Sequence, residues 1–135
     1  MIPGWLILAL SEIGNAEGRN HERIAEYKKM GTCAGTPDTV PWCADFMNWI
    51  MITSGNKGTG LSNARSFLTW GKPIDAPALG CVCVFSRGSD KAEGHVALYL
   101  DSHDGLIYCL GGNQGNRVGI NAYDKKNLLG YRWTA

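Results

Sequence analysis

The sequence predicts an α+β chain, and three observations carry that prediction. Up to about residue 70 the apolar residues recur at helical spacing. After Pro77 the period changes to two, and β-branched and aromatic residues dominate. The links between the later runs, such as "DSHDG" and "GNQGN", are short and turn-like, which suits antiparallel neighbours. Helices first and strands second point to N-terminal helices packed on a C-terminal antiparallel sheet of about five strands.

Each element has its own local reason. Residues 3–13 form an apolar-rich segment that opens at Pro3 and reads as the first helix. The start "MIPGWLILAL" imitates a secretion signal. No basic residue precedes its apolar run, however, and no small-residue cleavage site follows. It is also too short to span a bilayer. The second helix runs from about Asn20 to Met30 and closes at Gly31. The stretch "GTCAGTPDTVP" is rich in turn formers and reads as a loop. A third helix opens at Cys43 and carries Phe46, Met47, Ile50 and Met51 as a stripe. "TSGNKGTG" ends it, and "NARSFLTWG" is a short fourth helix stopped by Gly71. "CVCVFSR", "HVALYL", "LIYCLG", "RVGINAY" and "LGYRWT" are the expected strands.

With 135 residues and no repeat, low-complexity tract or linker, the chain reads as a single domain, 1–135. Its 13 basic and 12 acidic residues nearly cancel, so there is no electrostatic footprint for nucleic acid and none for a membrane surface. The five cysteines are an odd number, which argues against a complete disulfide framework. Cys81 and Cys83 lie two apart on one face of a strand, a poor arrangement for bridging each other. No C-x-x-C pair supports structural zinc, and a metal site built from Cys81, Cys83 and Cys109 lacks a recognised ligand spacing. Reduced thiols and cytoplasmic synthesis are the expectation.

"PWCADFMNWI" places Cys43 at a helix start behind a stiff aromatic approach. Unpartnered N–H groups of a first turn carry partial positive charge and favour a thiolate. In such places a thiol pKa falls from about 8.5 to roughly 3.5–7.5. The competing reading is a small buried hydrophobe. In "EGHVALYL", His95 follows a glycine and opens an otherwise apolar strand, where an imidazole base on a rigid element can face a nucleophile. His21 and His103 read as solvated. A third group should orient the ring. Asn113, in the glycine-flanked turn "LGGNQGN" one strand later, is the first choice; a carboxylate is the alternative, although Asp101 falls at the far end of the His95 strand.

"PWCADFMNW", "ARSFLTWGKP", a Pro-x-x-Gly before a strand, "GHVALYL", "GGNQGNRVGI" and "GYRW" together resemble a CHAP-like branch of the NlpC/P60 superfamily. "ALSEIGNAEGRNHERIAEY" extends the resemblance over nearly the whole chain. It implies a papain-like fold and a cysteine amidase or peptidase acting on bacterial peptidoglycan, of the short phage-lysin type. By position, the nucleophile falls on Cys43, the base on His95 and the polar third residue on Asn113. Trp42, Gln114 and Trp70 are the expected substrate contacts, with core packing the competing reading for the two tryptophans. No cofactor or metal is implied. Glu17 matches a recurrent acidic position and is read as structural. The strand after Pro-x-x-Gly usually begins Gly-Asp; here it begins Gly80-Cys81.

The resemblance further implies a monomer whose partner is the stem peptide. It would reach the wall or periplasm through a holin-type hole or a secretion apparatus, and a secreted effector would have an immunity protein. Two other readings remain at this level: a papain-like deamidase or acyltransferase toxin acting on protein glutamine, and a non-enzymatic binding module.

Overall fold

The computed structural model describes residues 1–135. Three helices come first: α1 (Gly4–Ser11), α2 (His21–Lys28) and α3 (Cys43–Thr53). The expected fourth helix is a 3₁₀ segment, Ala64–Thr69. Six strands follow: β1 (Lys72–Ile74), β2 (Val82–Ser86), β3 (Gly94–His103), β4 (Leu106–Gly111), β5 (Gly119–Asp124) and β6 (Leu128–Trp133). They form one antiparallel sheet in the order β1-β6-β2-β3-β4-β5. Helices packed on an antiparallel sheet is the α+β arrangement that the sequence predicts.

The sheet has six strands rather than about five. The added strand, β1, is three residues with Pro73 at its centre, paired with Tyr131, Arg132 and Trp133 of β6. Three residues show no period, and proline is tolerated only where its missing N–H faces away from a partner, as at a sheet edge.

Strand parity divides the interior in two. Val82, Val84, Val96, Leu98 and Leu110 face the helices and join Trp42, Phe46, Met47, Ile50 and Met51 of the α3 segment and Ile24 and Tyr27 of α2 in the main core. Cys81, Cys83, Phe85, Ala97, Ile107, Cys109 and Tyr131 form a smaller core on the opposite face. Within it Cys109 and Cys81 flank the Cys83 thiol, and these neighbours, together with burial, push its pKa up. All five cysteines are free.

The loop leading to Cys43 is held by buried polar groups. Lys28 is fully buried, and its Nζ donates to Thr36 Oγ1 at 3.1 Å and to the Val40 carbonyl at 2.9 Å. Asp45, also fully buried, accepts from Ser62 Oγ at 2.5 Å, and Ser62 Oγ accepts the Thr32 N–H at 2.8 Å. The second oxygen of Asp45 has no partner, and burial raises its carboxyl pKa. No helix is long and apolar enough to cross a membrane.

Candidate functional site

The site forms where two strands part. β3 and β4 pair as far as Leu98 opposite Leu110, and β4 ends at Gly111. Tyr99 gives its N–H to Cys81, on the β2 side. Alternation therefore turns the Val96 N–H the other way, into the gap that β4 vacates. The start of α3 fills this gap, where the Val96 N–H lies close enough to Cys43 Sγ to pull the thiol pKa down. The thiol thus sits against the backbone immediately after His95.

α3 can approach so closely because Gly112 has no side chain. A Cβ there would lie 2.6 Å from Phe46 Cβ and 2.9 Å from Trp42 Cζ3. The first helical bond runs from Phe46 N–H to the Trp42 carbonyl. The N–H groups of Cys43, Ala44 and Asp45 accordingly have no intrahelical acceptor, and that of Ala44 is turned to the thiol.

The electrostatics differ from the expectation of a lowered thiol pKa. Cys43 is 6 % exposed, and burial pushes its pKa up, against the opposing pull of the Val96 N–H, the Arg87 charge and the Ala44 N–H. The helix-start effect is present but weaker than desolvation. His95 is 3 % exposed, and burial takes it down to about 4; the Gln114 bond opposes this and Arg87 adds to it. At neutral pH thiol and imidazole both rest uncharged.

The side chain on the ring is Gln114, not Asn113. His95 Nε2 lies 2.9 Å from Gln114 Oε1. Gln114 Nε2 donates to two backbone carbonyls, Cys109 at 3.0 Å and Gly119 at 2.8 Å. Carbonyls only accept, so the amide orientation is fixed and Oε1 must face the ring. Oε1 also only accepts, so the proton of the neutral imidazole sits on Nε2. Asn113 instead takes φ 57°, the left-handed region that asparagine tolerates better than most residues. Its part is to turn the chain, while its neighbour reaches inward.

The other expected residues are placed as follows. Trp42 is fully buried and stacks on Tyr27 at 5.8 Å, with its indole N–H unpartnered; it is core rather than a cleft wall. Trp70 is 8 % exposed and donates to the Lys57 carbonyl at 2.8 Å. It lines a groove of about 540 Å³ bounded by Gly55–Thr59 and Thr134. That groove lies beyond the C-terminal end of α3, about 15 Å along the helix from Cys43. The structure therefore does not bring Trp70 to the thiol.

The space beside Gly94 is taken by Arg65, whose Nε donates to the Glu93 carbonyl at 2.6 Å. Glu17 lies between α1 and α2, and its N–H bonds the Asn116 carbonyl at 2.9 Å. His21 pairs with Asp38 at 2.8 Å, and His103 lies exposed beside Asp104. No three His, Cys, Asp or Glu side chains are arranged to hold a metal ion.

Two residues near the pair were not anticipated. Tyr123 of β5 places its hydroxyl 3.0 Å from His95 Nε2 and its ring 4.9 Å from the imidazole. Arg87, just past β2, is exposed, and its charge acts on both Cys43 and His95. Tyr123 belongs to an expected strand, but on an edge strand the alternation is too weak to assign its face.

Comparison with known proteins follows the same residues. The CHAP domain family model matches residues 35–113, a span that takes in Cys43 and His95 and stops one residue short of Gln114. Among solved structures the chain is similar to the wild-type endolysin LysIME-EF1, with a TM-score of 0.62 and 15 % identity over 99 % of this chain. At that identity the likeness is one of fold. The chain spans 65 % of the length of that endolysin. No curated protein matches it.

Proposed function

The chain belongs to the CHAP domain family, and from that premise we propose that it is a peptidoglycan hydrolase cleaving an amide bond of the stem peptide. Cys43 is the nucleophile, His95 the base and Gln114 the residue that orients the ring. One juxtaposition carries the reading: the Cys43 thiol lies close enough to the backbone N–H of the residue after His95 to feel its pull, while the imidazole proton is committed to Gln114 on Nε2. Nδ1 then keeps a free lone pair, the form a general base requires. The likeness to an endolysin supports the same substrate.

The reaction follows from these placements. As Cys43 sulfur attacks the amide carbonyl, its proton passes to Nδ1 of His95. Transfer at the moment of attack suits a pair that rests uncharged. The N–H of Cys43, free at the helix start, donates to the oxyanion. The C–N bond then breaks, and the leaving amine takes the proton from Nδ1. Water attacks the thioester and gives a proton back to Nδ1; the carboxylic acid leaves and the thiol is restored. Burial of both groups keeps competing water from the resting thiol. The whole chain, 1–135, serves as the catalytic domain, acting at the cell wall.

Purified sacculi test this. The wild type releases stem peptides identifiable by mass spectrometry, which also names the bond cut, and Cys43→Ala releases none. Inert sacculi with wild-type protein would overturn the reading and favour another acyl substrate, such as protein glutamine.

A further inference from the structure

The imidazole of His95 has two neighbours on one nitrogen, and Gln114 is only the first of them. Tyr123 Oη lies 3.0 Å from the same Nε2. Because Gln114 already fixes the proton on Nε2, the tyrosine cannot donate there. Its oxygen instead receives that proton jointly with Gln114 Oε1 at 2.9 Å, in a three-centre bond.

The ring of Tyr123 is itself held. It stacks on Phe85 at 5.0 Å with 29° between planes, and Phe85 pairs with His95 across β2 and β3. The imidazole therefore lies against an aromatic wall at 4.9 Å and 31°. Burial raises the tyrosine pKa, so the hydroxyl stays neutral and its oxygen remains an acceptor.

We propose that Tyr123 is a second positioning residue for His95: its hydroxyl oxygen shares the Nε2 proton with Gln114, and its ring limits rotation of the imidazole, so that Nδ1 stays unprotonated. The proposal deepens the hydrolase reading and rests on it for its catalytic consequence. When His95 takes up the thiol proton, both branches of the Nε2–H bond, to Gln114 Oε1 and to Tyr123 Oη, become charge-assisted, and two acceptors stabilise the imidazolium where one would otherwise.

The other charged or titratable groups around the ring come from every packed element. They are Cys43 of α3, Arg87 after β2, Cys109 of β4 beside Tyr123, and Arg65 of the 3₁₀ segment against Gly94. None of these has a hydrogen bond to the imidazole, so the tyrosine oxygen is separable from them by substitution.

Tyr123→Phe removes the oxygen and keeps the stack on Phe85. Ring ¹⁵N spectra of histidine-labelled protein give the tautomer and titration of His95, with exposed His21 and His103 as internal references. Neutral His95 is expected as the Nε2–H tautomer in the wild type. In Y123F its titration moves about one pH unit lower, the worth of one shared charge-assisted bond. On sacculi, the acid limb of the kcat/KM profile moves in the same direction, and kcat falls while KM holds. A wild-type Nδ1–H tautomer, or coincident His95 titrations in wild type and Y123F, would overturn the proposal. The spectra need no substrate. Inert wild-type protein on sacculi therefore refutes the hydrolase reading alone, leaving the spectra to judge Tyr123.

Discussion

Acid should destabilise this protein through His95, and by a calculable amount. The folded ring titrates near 4 against 6.5 for a free imidazole, because burial disfavours the charged form. Between those values the unfolded chain binds a proton that the folded chain refuses. Stability therefore rises with pH across that window; the contribution is whole above pH 6.5 and lost as the pH falls to about 4. At about 1.4 kcal/mol per pH unit, the span from 6.5 to about 4 corresponds to roughly 3–4 kcal/mol, of which about 3 is lost by pH 4, where the folded ring is only half-titrated. That is a large share of the total stability of a small domain, about 5–15 kcal/mol. The perturbation is His95→Gln, which removes the titrating group. Urea unfolding followed by tryptophan fluorescence at pH 7 and pH 4 gives two values for each protein. Groups common to both, such as Asp38 beside His21, cancel when the two pH-dependent losses are compared. The wild type should lose about 3 kcal/mol more than the variant between the two conditions. Equal losses in the two proteins would refute a neutral, buried imidazole.

Two further substitutions test the ground on which the site stands. Asp45 titrates above an ordinary carboxyl because it is buried with one oxygen unpartnered, so ionising it costs the folded state more than the unfolded one. Asp45→Asn keeps the acceptor for Ser62 and should raise Tm at pH 7, with the gain vanishing as the pH drops below the usual carboxylate range; a lower Tm at pH 7 counts against the assignment. Gly112→Ala places a methyl group 2.6 Å from Phe46 Cβ. The rigid backbone there should lose about 1–3 kcal/mol, read as an earlier urea midpoint, whereas an unchanged midpoint would mean that α3 does not press on the end of β4.

What could be read in advance was whatever repeats or punctuates. The period change after Pro77 and the glycine stops of the helices fixed the order of elements, and a helix-start cysteine followed by a glycine-flanked strand histidine singled out Cys43 and His95. The side chain that touches the imidazole lies one position beyond the expected Asn113, for a definable reason. Strand parity says which way a side chain points, but "GGNQGN" is a turn, where parity lapses and a single left-handed residue redirects its successor. Nor is depth legible from spacing. Trp42 beside a thiol suits a cleft wall as well as a core, and only the convergence of Tyr27 and Gly112 upon it decides. The same blindness to depth explains the thiol: helix-start field and burial were both open readings, and only the folded packing shows that desolvation is the larger.

The clamp on Gln114 has a consequence for chemical tolerance. Its amide hydrogens meet carbonyls from two different strands while its oxygen meets the imidazole. The isosteric carboxylate would still accept the Nε2 proton of His95, but it would offer no hydrogen to either carbonyl and would set its second oxygen against their lone pairs. The β4–β5 hairpin thus selects for polarity as well as shape at that position: it accepts an amide in one orientation, and rejects the acid that the same geometry would otherwise hold.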